Sequence, residues 1–229
     1  MKDKKDDKSK VLPGDVIAEG DSLAGRSTYK EDGKIKSKVL GVARTEKSPI
    51  RVVPLSGGYI PQDKGGEDNE MVIGRVSGIG PSHWWVDLDS PYDGYLSLSE
   101  GSDEFIDLDE TELSEVYDIG DLIYTEVIKV TKEKDVKLSM QGRMCKKLTG
   151  GRIVRISPSK VPRLIGKGGS MVELIKDETD SQIIIGQNGI VWVSGGNEDL
   201  ACEAVKLVDK KGHKKGLTEK VEKLLEEGE

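Results

Sequence analysis

Cysteine and histidine are scarce: two of each stand in 229 residues. Metal ligands of these types come in clusters with short spacings, whereas Cys145 and Cys202 are lone residues without a CxxC pair. No zinc site and no other cofactor is expected, and the two thiols read as small buried or half-buried side chains. A run of about 18 apolar residues is also missing, so no membrane helix is expected. The opening MKDKKDDKSK has no apolar core of the kind a signal peptide needs. Charged and without an apolar face, residues 1–10 read as a disordered tail. These absences lead to the expectation of a soluble, cytoplasmic chain with no membrane partner.

Bases are absent from residues 100–121, which hold ten acids. The net charge of −7 argues against a surface coated in nucleic acid, but its distribution matters more than its sum. Residues 1–66 hold 14 Lys/Arg against 10 Asp/Glu, residues 67–147 hold 8 against 19, and residues 148–229 hold 13 of each. Without the 100–121 segment the middle third is close to neutral, with 8 bases against 9 acids. A phosphate-facing surface elsewhere remains compatible with this balance. The acids Asp103, Asp107 and Asp109 could suggest a metal-dependent nuclease, but no lysine or histidine stands beside them. A solvated insertion accounts for them better.

Three segments follow the tail. Residues 11–66 read as a small β-domain ending in a linker. Pro13-Gly14-Asp15 is a turn before Val16-Ile17-Ala18, and Asp32-Gly33 is a hairpin signal before a strand over Ile35–Val42. Ser48–Leu55 is another β-branched run, closed by Gly57-Gly58, and Pro61–Asp68 forms the polar linker. Residues 67–147 hold five short strand signals, Met71–Val76, His83–Leu88, Asp93–Ser97, Leu122–Val130 and Asp135–Ser139, which suit an OB-type Greek-key barrel. Residues 148–229 change character. Strand Gly151–Ile156, helices Pro162–Gly166 and Ser170–Glu178, strands Ile183–Ile185 and Ile190–Val193 and helix Glu198–Asp209 give the order β-α-α-β-β-α. Asn197 is a cap for that last helix, Gly186–Gly189 is a tight hairpin, and Thr218–Glu226 is a short amphipathic helix.

The sharpest motif is Leu164-Ile165-Gly166-Lys167-Gly168-Gly169-Ser170-Met171-Val172. It has the form of the GXXG loop of a KH domain, which clamps a nucleic-acid backbone. Glycines between two helices let backbone amides approach phosphates, the following helix adds its positive end, and Lys167 adds a charge. A helix-turn-helix corner that merely needs glycines is the plainer reading, and KH folds also serve as protein contacts. A P-loop is excluded, since GxxxxGK[ST] needs four residues between its glycines.

Strand His83–Leu88 alternates. Trp84, Val86 and Leu88 point to a core, leaving Trp85 on a polar face with His83 and Asp87. An aromatic ring there is either a platform for base stacking or a surface covered by the N-terminal β-domain or a partner. Tyr95 is expected nearby. Arg75, Lys129, Lys132, Lys134 and Lys137 are candidates for backbone contact, although a solvated face accounts for lysines equally well.

Gly74-Arg75-Val76, Trp85-Val86-Asp87-Leu88, Gly94-Tyr95-Leu96-Ser97 and Gly120-Asp121-Leu122 resemble the OB domain of ribosomal protein S1 type. The order S1 then KH follows Val11-Leu12-Pro13-Gly14-Asp15 and Pro54-Leu55-Ser56-Gly57-Gly58-Tyr59-Ile60-Pro61. With Val161–Lys167 and Lys215-Gly216-Leu217-Thr218, it resembles the KH-containing cap subunits of the archaeal exosome. The resemblance implies an α+β multidomain chain: a small N-terminal β domain, a five-stranded S1-type OB barrel and a type I KH domain. It implies a non-catalytic subunit, present in three copies on a ring of phosphorolytic exoribonuclease-type subunits, that guides single-stranded RNA inward for 3′-to-5′ degradation. The RNA-binding residues it suggests are Gly166, Lys167, Gly168, Gly169, Arg163, Trp85, Tyr95, Arg75 and Lys137. S1-type domains often carry an aromatic three residues before Trp85 and a histidine at the end of the Gly-Tyr-Leu strand. Ser82 and Ser97 stand there, implying weaker stacking. A free-standing RNA-binding regulator or translation-associated factor is the rival reading. Polynucleotide phosphorylase orders KH and S1 the other way, behind catalytic domains for which this chain has no room.

Overall fold

The computed structural model describes residues 10–20, 23–25, 27–45, 49–54, 58–62, 69–102, 111–131, 135–212 and 216–228. Expectations for residues 1–9, Gly57, linker residues 63–68, the acids Asp103, Asp107 and Asp109, and Lys132, Lys134 and Lys215 lie outside the described residues. No helix among the described residues is long and apolar enough to cross a membrane.

Two compact units divide the chain, Met1–Gly57 and Gly58–Glu229. The first consists of short antiparallel strands: β1 (Lys10–Val11), β2 (Val16–Glu19), β3 (Thr28–Glu31), β4 (Lys34–Ser37), β5 (Gly41–Arg44) and β6 (Arg51–Pro54). They form two three-stranded sheets, in the orders β1-β5-β6 and β2-β4-β3. Val11, Ile17, Ala18, Ile35, Ala43, Ile50 and Val52 make its core. Two expectations are corrected here. The single strand over Ile35–Val42 is two strands, one in each sheet, parted at 38–40. The side-chain hydroxyl of Ser37 holds that corner by donating to Val39 O at 2.6 Å. Lys10 pairs with Val42 in β1, so strand structure starts within the segment read as a tail.

The second unit opens with the barrel: β7 (Glu70–Ile79), β8 (His83–Asp87), β9 (Gly94–Ser97), β10 (Leu122–Val130) and β11 (Val136–Ser139). The order is β11-β9-β8-β7-β10, and β11 pairs back onto β10 to close five strands. Period-2 alternation buries one side of each strand. Val72, Val76, Trp84, Val86, Leu88, Leu96, Ile123, Val127, Val136 and Leu138 are all within 1 % of full burial. Gly94 is required by this packing, since a Cβ there would lie 2.6 Å from Leu138 Cδ1. Two short helices, α1 (Leu98–Gly101) and α2 (Leu113–Val116), flank the barrel. Trp84 Nε1 donates to Leu113 O at 3.2 Å and Tyr117 O at 3.0 Å, tying α2 to the barrel core. A sixth strand, β12 (Lys146–Leu148), extends β10.

The KH fold follows: β13 (Arg152–Arg155), α3 (Val161–Ile165), α4 (Ser170–Thr179), β14 (Gln182–Ile185), β15 (Ile190–Ser194), α5 (Glu198–Lys211) and α6 (Leu217–Glu227). The sheet is antiparallel in the order β13-β15-β14. One face carries Val154, Ile183, Val191 and Val193 into a core with the helices. The other carries Ile190 and Trp192, with Ile153 and Ile184, onto Ile73, Leu122, Tyr124 and Leu148 of the barrel side. Barrel, sheet and helices are therefore successive layers of one unit. Asn197 caps α5 as the sequence predicts, its Oδ1 accepting from Leu200 N at 3.1 Å.

The β14–β15 hairpin locks these layers. At its tip Asn188, 3 % exposed, offers Oδ1 to Ile73 N at 3.3 Å. Its Nδ2 donates to Ile73 O at 2.7 Å and Leu88 O at 2.9 Å, and Gln187 N donates to Met71 O at 2.8 Å. An Asn amide thus completes a backbone edge that would otherwise be buried without partners.

Candidate nucleic-acid interface

Trp85 lies on the outer face of β8 and is 43 % exposed, while Trp84 and Val86 on either side are fully buried. Cross-strand register builds a row around it. Trp85 pairs with Tyr95 on β9, Tyr95 with Lys137 on β11, and Lys137 with Lys129 on β10. Lys129 and Lys137 are exposed. Two ammonium groups and two rings therefore follow one another across four strands. That is the pairing of parts that binds single strands: charge tracks the phosphates and rings receive bases.

His83 joins the rings. Its imidazole stacks on Tyr95 with centroids 4.8 Å apart and planes 28° apart. It meets Trp85 at 5.2 Å and 87°, and Tyr95 meets Trp85 at 5.6 Å and 72°. Neither neighbour lies flat over the indole. His83 adds a ring to the face where Ser82 and Ser97 stand at the aromatic and histidine positions common in S1-type domains. His83 is the cross-strand partner of Ser97 and supplies an imidazole from the opposite strand. Sequence reasoning placed His83 on the right face and gave it no role.

Arg75 is exposed and pairs with Asp87, one step along the barrel from the row. Its Nη1 donates to Gly120 O at 2.8 Å, so part of the guanidinium holds the 118–121 turn. Asp121 closes the same turn. Burial acts to raise its carboxyl, and is outweighed by the Lys147 ammonium and the Asp118 N–H, which hold it below the usual carboxylate range.

The second set sits in the helical layer. Gly166 (φ 79°), Gly168 (φ 63°) and Gly169 (φ 92°) all occupy positive φ between α3 and α4, a region that favours glycine. A Cβ on Gly166 would lie 2.7 Å from Met171 N, whereas at Gly168 nothing lies within 4 Å. Lys167 and Gly168 are exposed, as is Arg163 on α3. Ten-residue α4 presents its N-terminus to this loop, where unpaired N–H groups favour anions. Glu173 in its first turn competes for that same end, and its Oε1 lies 3.3 Å from where a Gly169 Cβ would be. The KH sheet separates this helical layer from the barrel, so the structure brings the nine candidates together as two sets. No metal-holding group of three His, Cys, Asp or Glu side chains occurs among the described residues.

Comparison with known proteins finds three family models along the chain. The family model for the exosome RNA binding protein RRP4 N-terminal domain matches residues 8–56, that for the RRP4 S1 domain matches 65–129, and a KH domain model matches 151–199. Exosome complex component Rrp4 of Pyrococcus abyssi is 43 % identical over 220 residues, covering 94 % of this chain and 81 % of the relative. The same component of Methanobrevibacter smithii is 42 % identical over 222 residues, covering 96 % and 72 %. A crystal structure of a candidate exosome complex RNA-binding protein superposes with a TM-score of 0.67 at 30 % identity, covering 75 % of this chain and 97 % of that one. Identity of this order over nearly the whole chain, on the same three modules, places it plainly: the chain belongs to the Rrp4 family of exosome complex components.

Proposed function

We propose that this chain is a non-catalytic, cytoplasmic RNA-binding cap subunit of an archaeal-type exosome. Three copies sit on a ring of phosphorolytic exoribonuclease-type subunits and guide single-stranded RNA into it for 3′-to-5′ degradation. The observation that carries the reading is the Lys129–Lys137–Tyr95–Trp85 row on the barrel of a chain in this family. Trp85, Tyr95 and Lys137 are its main RNA contacts, with Arg75 beside them. The loop Gly166, Lys167, Gly168 and Gly169, with Arg163, is a second and weaker contact because Glu173 sits at the same helix end.

The net charge of −7 supports modest affinity for one copy, since sequence-independent binding rests on neutralised phosphates. Three copies around one pore compensate through effective concentration. The direct test mixes the full chain with labelled single-stranded RNA, with and without inorganic phosphate and divalent metal. The expected result is retention of intact RNA. Shortening of the RNA by the purified chain would contradict the accessory role.

A further inference from the structure

The outer face of a barrel is a poor place to hold an indole still, yet Trp85 is bracketed. His83 explains how. It lies on the exposed side of β8 but is half-buried. Gly80 forms its floor: a Cβ built there would overlap the imidazole, and the three nearest atoms it would meet all belong to that ring. The turn beneath is closed by Gly80 N donating to His83 O at 2.8 Å. Tyr95 lies flat against one side of the imidazole, and Trp85 meets it near a right angle.

We infer that His83 is the positioning residue of the stacking platform: seated on Gly80, it fixes Tyr95 and Trp85 so that the indole keeps a flat face open to a base. The inference rests on the platform reading given above and adds a residue to it. A side chain that must be immobilised when ligand arrives costs affinity, and one held beforehand does not. Trp85 stays 43 % exposed between two neighbours whose planes meet the indole at 87° and 72°, so neither stacks flat on it.

Gly80 gives the test its sharpest arm. Its φ is not in the positive region, and the three atoms nearest an added methyl all belong to the His83 ring. Gly80→Ala therefore displaces the imidazole while removing no ring. Affinity of the full chain for a labelled oligoadenylate is measured for His83→Ala, His83→Phe, Gly80→Ala and Trp85→Ala, with thermal midpoints confirming folding. His83→Ala and Gly80→Ala are each expected to weaken binding about three- to tenfold, and His83→Phe to stay within about twofold of the parent. If His83→Phe binds as poorly as His83→Ala, the imidazole contacts RNA itself and the positioning role is overturned. If Trp85→Ala weakens binding while His83→Ala and Gly80→Ala do not, the platform stands and His83 has no part in it. If Trp85→Ala also leaves affinity unchanged, the platform reading falls and the inference with it.

Discussion

Trp84 and Trp85 sit side by side on β8 and face opposite ways. Trp84 is fully buried, packs edge-on against Tyr117 at 5.2 Å, and supplies the N–H that Leu113 O and Tyr117 O share. Trp84→Ala should cost about 3–5 kcal/mol of unfolding free energy, since it opens a large cavity and strands two acceptors. Trp85→Ala should change stability by less than about 1 kcal/mol, because an exposed side chain leaves no cavity. It should instead weaken RNA binding by the loss of stacking, about 1–3 kcal/mol per base, with little change in salt dependence. Chemical denaturation and RNA titration of the two variants check this pair. Equal losses of stability would show that Trp85 is a core residue and not a surface platform.

The GXXG loop and the β14–β15 hairpin are both glycine-rich turns with different expected roles. In the loop, replacing Lys167 and Gly168 together with Asp turns a site suited to phosphate into one that repels it. The fold should survive, because both positions are exposed and Asp tolerates the left-handed conformation of Gly168 better than most residues. RNA affinity should fall, and more so at low salt, where charge counts most. Affinity unchanged at both low and high salt would remove the loop from the interface. In the hairpin, Asn188→Ala leaves Ile73 N–H, Ile73 O and Leu88 O buried without their partner. A loss of roughly 2–3 kcal/mol in urea unfolding is expected. A loss below about 0.5 kcal/mol would show that the hairpin tip does not hold the layers together.

Much of the element pattern was legible for one reason: a barrel with a buried face imposes period 2, and helices on a sheet impose period 3.6. Leu122–Val130 and the inward set Trp84, Val86 and Leu88 follow directly from that constraint. Ile35–Val42 looked like one strand because its apolar residues continue through a corner that Ser37 makes with a local hydrogen bond. Asn188 read only as a turn residue because its partner Ile73 is 115 positions away. His83 lacked a role for the same reason, since stacking on Tyr95 depends on cross-strand register, which no single strand reveals.

At the scale of the whole molecule, barrel and KH sheet share an apolar seam through Ile73, Leu148, Ile190 and Trp192, so RNA on one module loads a body that includes the other. On the proposed cap reading, the net charge of −7 predicts weak RNA binding by one free copy and stronger capture by copies gathered around a pore. The central claim is that the chain feeds RNA to a catalytic ring and does no chemistry of its own. The measurement that tests it most directly is the rate of phosphorolysis of limiting single-stranded RNA by the ring alone, by the ring with this chain, and by the ring with its Trp85→Ala variant. The chain should raise the rate. The variant should co-elute with the ring just as well and give back most of that gain. A rate unaffected by the chain, in a complex shown by sizing to carry it, would contradict the account.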